Sequence, residues 1–147
     1  MHDSMQQVID YFRRLEDTIA TLPLEEQEKL FRPCAIECVK KYVLDEQKRL
    51  FGECHNSLDE MYEKGGKTEY FFGEIVERGH VYEIGYPRCL CYMHEAGFAN
   101  APIHCECSRQ SILYVLHELL PDQSIQVETI HTVLSGADEC RFRITVE

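Results

Sequence analysis

Two Cys-x-Cys pairs, Cys89-Leu90-Cys91 and Cys105-Glu106-Cys107, stand thirteen residues apart, and the segment between them carries His94, Glu95 and His104. Four thiols and two imidazoles within nineteen residues are more than packing alone explains. Zinc takes thiolates, or thiolates with imidazoles, in a tetrahedron. Four thiolates also hold an iron–sulfur cluster, which is the less favoured occupant here because zinc is the common metal of such sites. A thiol at a helix start beside an imidazole is instead a nucleophile with its base, and Cys107 with His94 or His104 has that pattern. The spacing differs from the Cys-x-x-Cys of zinc ribbons. It points to soft-metal or thiol chemistry and leaves the choice open.

The elements that must position these residues can be read from periodicity. Met5, Val8, Ile9, Phe12, Leu15 and Ile19 recur at helical spacing and predict a helix over 4–20. Pro23 ends it. A second helical region carries Phe31, Ala35, Val39 and Val43 in one row, with Leu30, Cys34, Cys38 and Tyr42 beside it. Pro33 is expected to kink or restart this helix, which runs to about Phe51. Ser57 and Glu60 form a capping box for a short helix that Gly65-Gly66 ends. Tyr70 to Val76 and Val81 to Tyr86 read as a β-hairpin, with Gly73 as a bulge and Pro87 as the stop. Ser108 is the expected N-cap of a helix carrying Ile112, Val115, Leu116, Leu119 and Leu120, closed by Pro121. Ile125, Val127, Thr129, His131 and Val133 alternate as a strand, and Cys140, Phe142, Ile144 and Val146 as another after a turn at 135–138. The reading is an α+β fold in one domain, 1–147: N-terminal helices (1–66) packed on an antiparallel sheet (67–147), in the order helices, hairpin, helix, two strands.

That order places the thiols. Cys89 and Cys91 follow the second hairpin strand. The next helix starts at the same end, with Cys105 and Cys107, and Cys140 opens the last strand there. Short connections and a sheet under the helix therefore bring together five candidate ligands: Cys89, Cys91, Cys105, Cys107 and Cys140. Taken singly, Cys140 lies on the apolar face of its strand and reads as core, as does Cys54. Cys34 and Cys38 read as packing residues, although their i, i+4 spacing also lets both reach one metal. His131 alternates with core-facing residues and reads as a hydrogen-bonded core histidine. The Glu25-Glu26-Gln27-Glu28 run reads as a solvated first helical turn.

Composition bounds the partners. The net charge of −11 argues against nucleic acid and anionic membrane surfaces, both of which select clustered Lys and Arg. No stretch reaches the roughly 20 apolar residues of a spanning helix. The N-terminal residues lack a basic region followed by an apolar one, so the expected location is cytoplasmic. Thiols stay reduced there, and eight cysteines read as ligands, reactive thiols or core residues rather than four disulfides.

The C-terminal third resembles the 4-vinyl reductase domain superfamily. The resemblance is carried by Cys107-Ser108 opening a helix and by Gly136-Ala137-Asp138-Glu139-Cys140-Arg141-Phe142-Arg143-Ile144, a Gly-x-x-x-Cys-x-Phe ending after a helix and a strand. The layout is also similar to bacterial 2-amino-thiazoline-4-carboxylate hydrolase-like proteins. The resemblance implies helices on an antiparallel sheet, a small-molecule pocket between them, frequent homodimers and, in sensor members, zinc held near the closing motif. Carried onto this chain, that zinc falls on Cys140 and the Cys105/Cys107 region. A departure stands at Thr132, where those sensors have a further cysteine four residues before the glycine.

Three functions follow. The first is a regulatory domain that binds a small molecule and uses structural zinc to fix the 87–107 loop. The second is a small-substrate hydrolase acting through Cys107 or a metal-bound water. The third is a thiol redox or metal sensor.

Overall fold

The computed structural model describes residues 3–147. Four helices lead: α1 (Ser4–Ala20), α2 (Leu24–Tyr42), α3 (Leu44–Glu53) and α4 (Leu58–Lys64). The hairpin β1 (Phe72–Glu77) and β2 (Val81–Tyr86) follows, then a short α5 (Tyr92–Glu95), a 3-10 turn at Pro102–His104 and α6 (Cys105–Leu119). β3 (Ile125–His131), a second 3-10 turn at Val133–Ser135 and β4 (Cys140–Val146) close the chain. The strands form one antiparallel sheet in the order β1-β2-β4-β3, with helices against one face. The α+β expectation and its element order hold.

Each element follows from local chemistry. Asp3 caps α1 by accepting from the Met5 and Gln6 N–H groups. Ser57 accepts from Glu60 N–H at the start of α4. β4 alternates as its sequence does: Cys140, Phe142, Ile144 and Val146 are buried, while Arg141, Arg143 and Thr145 turn to the other face. Phe142 and Ile144 have no exposed surface and centre the core with Leu116, Tyr62 and Phe51. Burial of each such side chain contributes about 1.5–3 kcal/mol. α4 is tied to the hairpin through Asp59, whose Oδ1 accepts from Tyr82 Oη at 2.8 Å and from Gly79 N–H at 3.0 Å.

Several local expectations are corrected. α2 does not restart at Pro33 but continues through it, and the break comes at Val43. Ser108 is not the N-cap: the 3-10 turn beginning at Pro102 runs straight into α6, which starts at Cys105. The hairpin bulge lies between Ile75 and Glu77, not at Gly73. Gly73 serves close approach instead, since a Cβ there would sit 2.7 Å from the Tyr62 ring. β3 stops at His131 because Thr132 caps the following 3-10 turn. A register shift between Thr129 and His131 turns His131 to the half-exposed edge, where Nε2 lies 3.1 Å from Glu139 Oε2. No helix among the described residues is long and apolar enough to cross a membrane.

Two glycines give opposite predictions. A Cβ on Gly85 would stand 1.8 Å from the Cys140 carbonyl oxygen, and backbone cannot yield there. Gly85→Ala is expected to cost about 3 kcal/mol or more. Gly52, inside α3, meets nothing within 4 Å, so Gly52→Ala is expected to stabilise by about 0.5 kcal/mol. Urea midpoints of the two variants against the parent check both signs.

Candidate metal centre

The loop between β2 and α6 is held by a carboxylate that the cysteine pattern does not reveal. Glu16 of α1 is buried, and its Oε2 accepts from Asn100 N–H at 2.8 Å and from Ala101 N–H at 2.5 Å. His104 Nε2 lies 3.2 Å from the same oxygen but without hydrogen-bond geometry, which leaves that nitrogen unsatisfied. Phe12 stacks on Phe98 with centroids 5.3 Å apart. His94 Nδ1 is 2.8 Å from Ala99 O and helps fold the loop on itself. The sequence does carry a signal for Glu16: it falls among Phe12, Leu15 and Ile19 on the inward stripe of an amphipathic helix, where an acid is out of place.

The thiols converge as the element order predicts. Tyr86 at the end of β2 pairs with Cys140 at the start of β4, so Cys89 and Cys140 share one end of the sheet with Cys105. They fall into two neighbourhoods. In the first, Cys105 lies within electrostatic range of Cys140, Cys89 and Cys91. These sulfurs meet protein donors. Val133 N–H donates to Cys140 Sγ at 3.4 Å, Cys91 N–H faces Cys89, and the Thr132 hydroxyl stands beside Cys105. In the second, Cys107 lies within electrostatic range of Cys38, Cys91 and Cys34. Cys34 and Cys38 are exposed rather than packed in the core, which corrects the expectation for them. Only Cys54, buried beneath α3 and α4, lies outside both neighbourhoods.

Burial dominates the thiol chemistry. Desolvation, with the neighbouring thiols adding, pushes Cys107 up to about 12. Burial likewise takes Cys105 to about 11 and raises Cys89 and Cys140 above the ordinary thiol value. Uncomplexed, these four are neutral thiols at physiological pH. A cationic metal inverts that preference, because it binds the thiolate and releases the proton.

The donor set fits zinc in kind and number, but as the side chains stand no three His, Cys, Asp or Glu among the described residues are arranged to hold a metal ion. The zinc set implied by the family resemblance is also short of a ligand. Thr132 lies beside Cys105 and next to Val133, whose N–H donates to Cys140 Sγ.

The hydrolase arrangement is weaker. The Cys107 thiol is driven away from the thiolate, and His94 is engaged with the Ala99 carbonyl while His104 Nε2 lies beside Glu16. A second polar feature absent from the sequence reading links α2, α6 and β3. Arg109 pairs with Glu106 and Glu28 at 2.6 and 2.7 Å and donates to Val127 O, and buried Gln110 joins Glu106 to Arg32. Glu28 is therefore an inter-helix partner, whereas Glu25 and Glu26 face solvent as expected.

Close by, Lys67, Phe72, Glu74, Pro87, Glu139 and Arg141 help line a groove of about 420 Å³. Its floor is the Phe72 ring under the Arg141 guanidinium, 4.7 Å from the ring centroid.

No family model matches the chain, and no curated protein matches it significantly. Among solved structures it is similar to the crystal structure of a trafficking protein particle complex subunit 3 from Naegleria fowleri covalently bound to palmitic acid. Identity is 12%, the TM-score is 0.44, and the match covers 96% of this chain and 93% of that one.

Two outcomes follow from the geometry. In metal-free, reduced protein, Cys34, Cys38 and Cys91 are expected to alkylate well before Cys105, Cys107 and Cys140; fast modification of Cys107 in a timed iodoacetamide series would overturn this. Burial lowers His104 below the ordinary imidazole value, with Glu16 only partly opposing it. The unfolded chain then binds the proton more readily, and stability falls as pH drops through the ordinary imidazole range. His104→Asn is expected to flatten that slope in urea titrations at neutral and mildly acidic pH.

Proposed function

We propose that this protein is a small-molecule-binding regulatory domain whose cysteine-rich end holds a structural ion of the zinc class. The observation that carries this reading is the gathering of seven of the eight cysteines where β2, β4, α2 and α6 meet. Packing does not account for Cys34, Cys38 and Cys91, which are exposed. A metal there would fasten the 87–104 loop, which otherwise relies on Glu16 and a few ring contacts. The groove over Phe72 and Arg141 borders that loop at Pro87, and its volume is within the range of small-ligand sites. In this reading the metal sets the loop and the loop sets the rim of the groove.

The test is elemental analysis of full-length protein purified without chelator or oxygen, with a free-thiol count on the same sample. About one zinc per chain is expected, with several thiols protected until a chelator is added, and a lowered melting temperature after chelation. Absence of metal, together with no uptake of zinc by the reduced protein, would sink the reading.

A further inference from the structure

Helices α3 and α6 end beside one cavity, and they end differently. At the close of α3, His55 and Asn56 turn to positive φ, and the Cys54, His55 and Asn56 N–H groups return to carbonyls between Leu50 and Gly52. α6 has no such closure. Leu120 N–H returns to Leu116 O, but Pro121 has no N–H to give, and Gln123 N–H goes to Leu120 O. Among the described residues the carbonyls of His117, Glu118 and Leu119 therefore accept no hydrogen bond. They form the negative end of the α6 dipole, roughly half an elementary charge.

The cavity at this end holds about 350 Å³, within the range of small-ligand sites. It lies away from the cysteines, about 22 Å along the fifteen residues of α6. Buried Phe51 and Leu119 give it an apolar wall, which the Pro121 ring extends. Its rim is rich in acceptors. The side chains of Asp122, Asn56 and Gln123 have no hydrogen bond or ion pair among the described residues. Glu118 meets only Lys48, whose Nζ stands 3.7 Å from its Oε2. Two carboxylates and a helix C-terminus against one ammonium leave the cavity electronegative, in a chain of net charge −11. That disfavours an anion. A bare metal ion would leave the apolar wall unused, and no three His, Cys, Asp or Glu among the described residues are arranged to hold one.

We propose that this cavity binds a primary alkylammonium group carried on an apolar stem, as in a free diamine or a lysine side chain of another protein. The stem packs on the apolar wall. The three N–H donors of an ammonium suit acceptors that stand as single oxygens better than a planar guanidinium fork does. Lys48 is a weak internal competitor, because its pair with Glu118 is long and exposed.

The test is an amide-resolved NMR titration of full-length protein with cadaverine and, separately, with a blocked glycine-lysine-glycine peptide. The same peptide with norleucine in place of lysine is the control. Saturable shifts at Phe51, Asn56, Glu118 and Leu119 are expected with at least one of the amines and none with the control; the tighter amine identifies a free or a protein-borne source. Glu118→Gln/Asp122→Asn is expected to weaken binding about tenfold. Lys48→Met is expected to tighten it about two- to fivefold by removing the competitor. All three positions are exposed, and retained signal dispersion checks that the variants fold. Silence at these signals with both amines, equal shifts from the control, or unchanged affinity in the Glu118/Asp122 variant would overturn the proposal. Metal-free protein serves throughout, so failure here leaves the reading of the cysteine-rich end untouched.

Discussion

At Gly85 the β2 backbone passes so close to the Cys140 carbonyl that no side chain fits between them, and the whole cysteine-rich end depends on that contact. It fixes the pairing of Tyr86 with Cys140, and the pairing fixes which residues of β4 face the helices. A slip of one residue would turn Phe142 and Ile144 outward and carry Cys140 to the opposite face. Phe72 uses the same space from the other side, packing over Gly85 beneath Arg141. One missing side chain therefore sets the register, the groove and the position of a thiol.

The helices are registered by polar groups rather than by apolar fit alone. Glu28, Arg32, Glu106, Arg109 and Gln110 form a connected set between α2 and α6, and Arg109 continues it to the Val127 carbonyl. Partly buried charges of this kind stabilise little relative to apolar residues of the same size, but a wrong register would strand them unpaired at several kcal/mol. The consequence for the site is positional. With Glu28 held to Arg109 and Arg32 to Gln110, Cys34 and Cys38 have a defined place along α6.

Most of the architecture was legible because its elements are locally consistent. α1, the hairpin, α6 and the alternating β4 follow from apolar period, turn residues and proline stops. The convergence of thiols was legible too, since it needs only element order and antiparallel return. What escaped depended on contacts between distant residues. Cys34 and Cys38 share a helical stripe with apolar residues, and period alone cannot tell a half-turn difference between core and rim. Ser108 resembles an N-cap in its local sequence, but a 3-10 turn set by Pro102 starts the helix four residues earlier. Gly73 and Gly85 are both glycines in strands; only the neighbours, Tyr62 and Cys140, reveal that each makes room rather than a bulge. The Arg109 set is invisible in sequence because its members span three elements.

The Glu16 tether joins residues 84 and 85 positions apart, and so it belongs to the late part of folding. Closing so long a span costs entropy that only a preformed α2–α6 and sheet body can offset. The same ordering holds in reverse for excursions from the native state. The segment from Pro87 to His104 is held by the two hydrogen bonds to Glu16, the ring contacts of Phe98 with Phe12 and of His104 with Phe31, the Arg88 contacts with Glu69 and Tyr70, and buried Ala99, while Phe142, Ile144 and Leu116 keep the sheet closed independently of it. Half-buried Cys89 on that segment would then become fully open to solvent in a sub-global opening less costly than unfolding. The α1 contact thus helps set how often the half-buried thiol of Cys89 is uncovered.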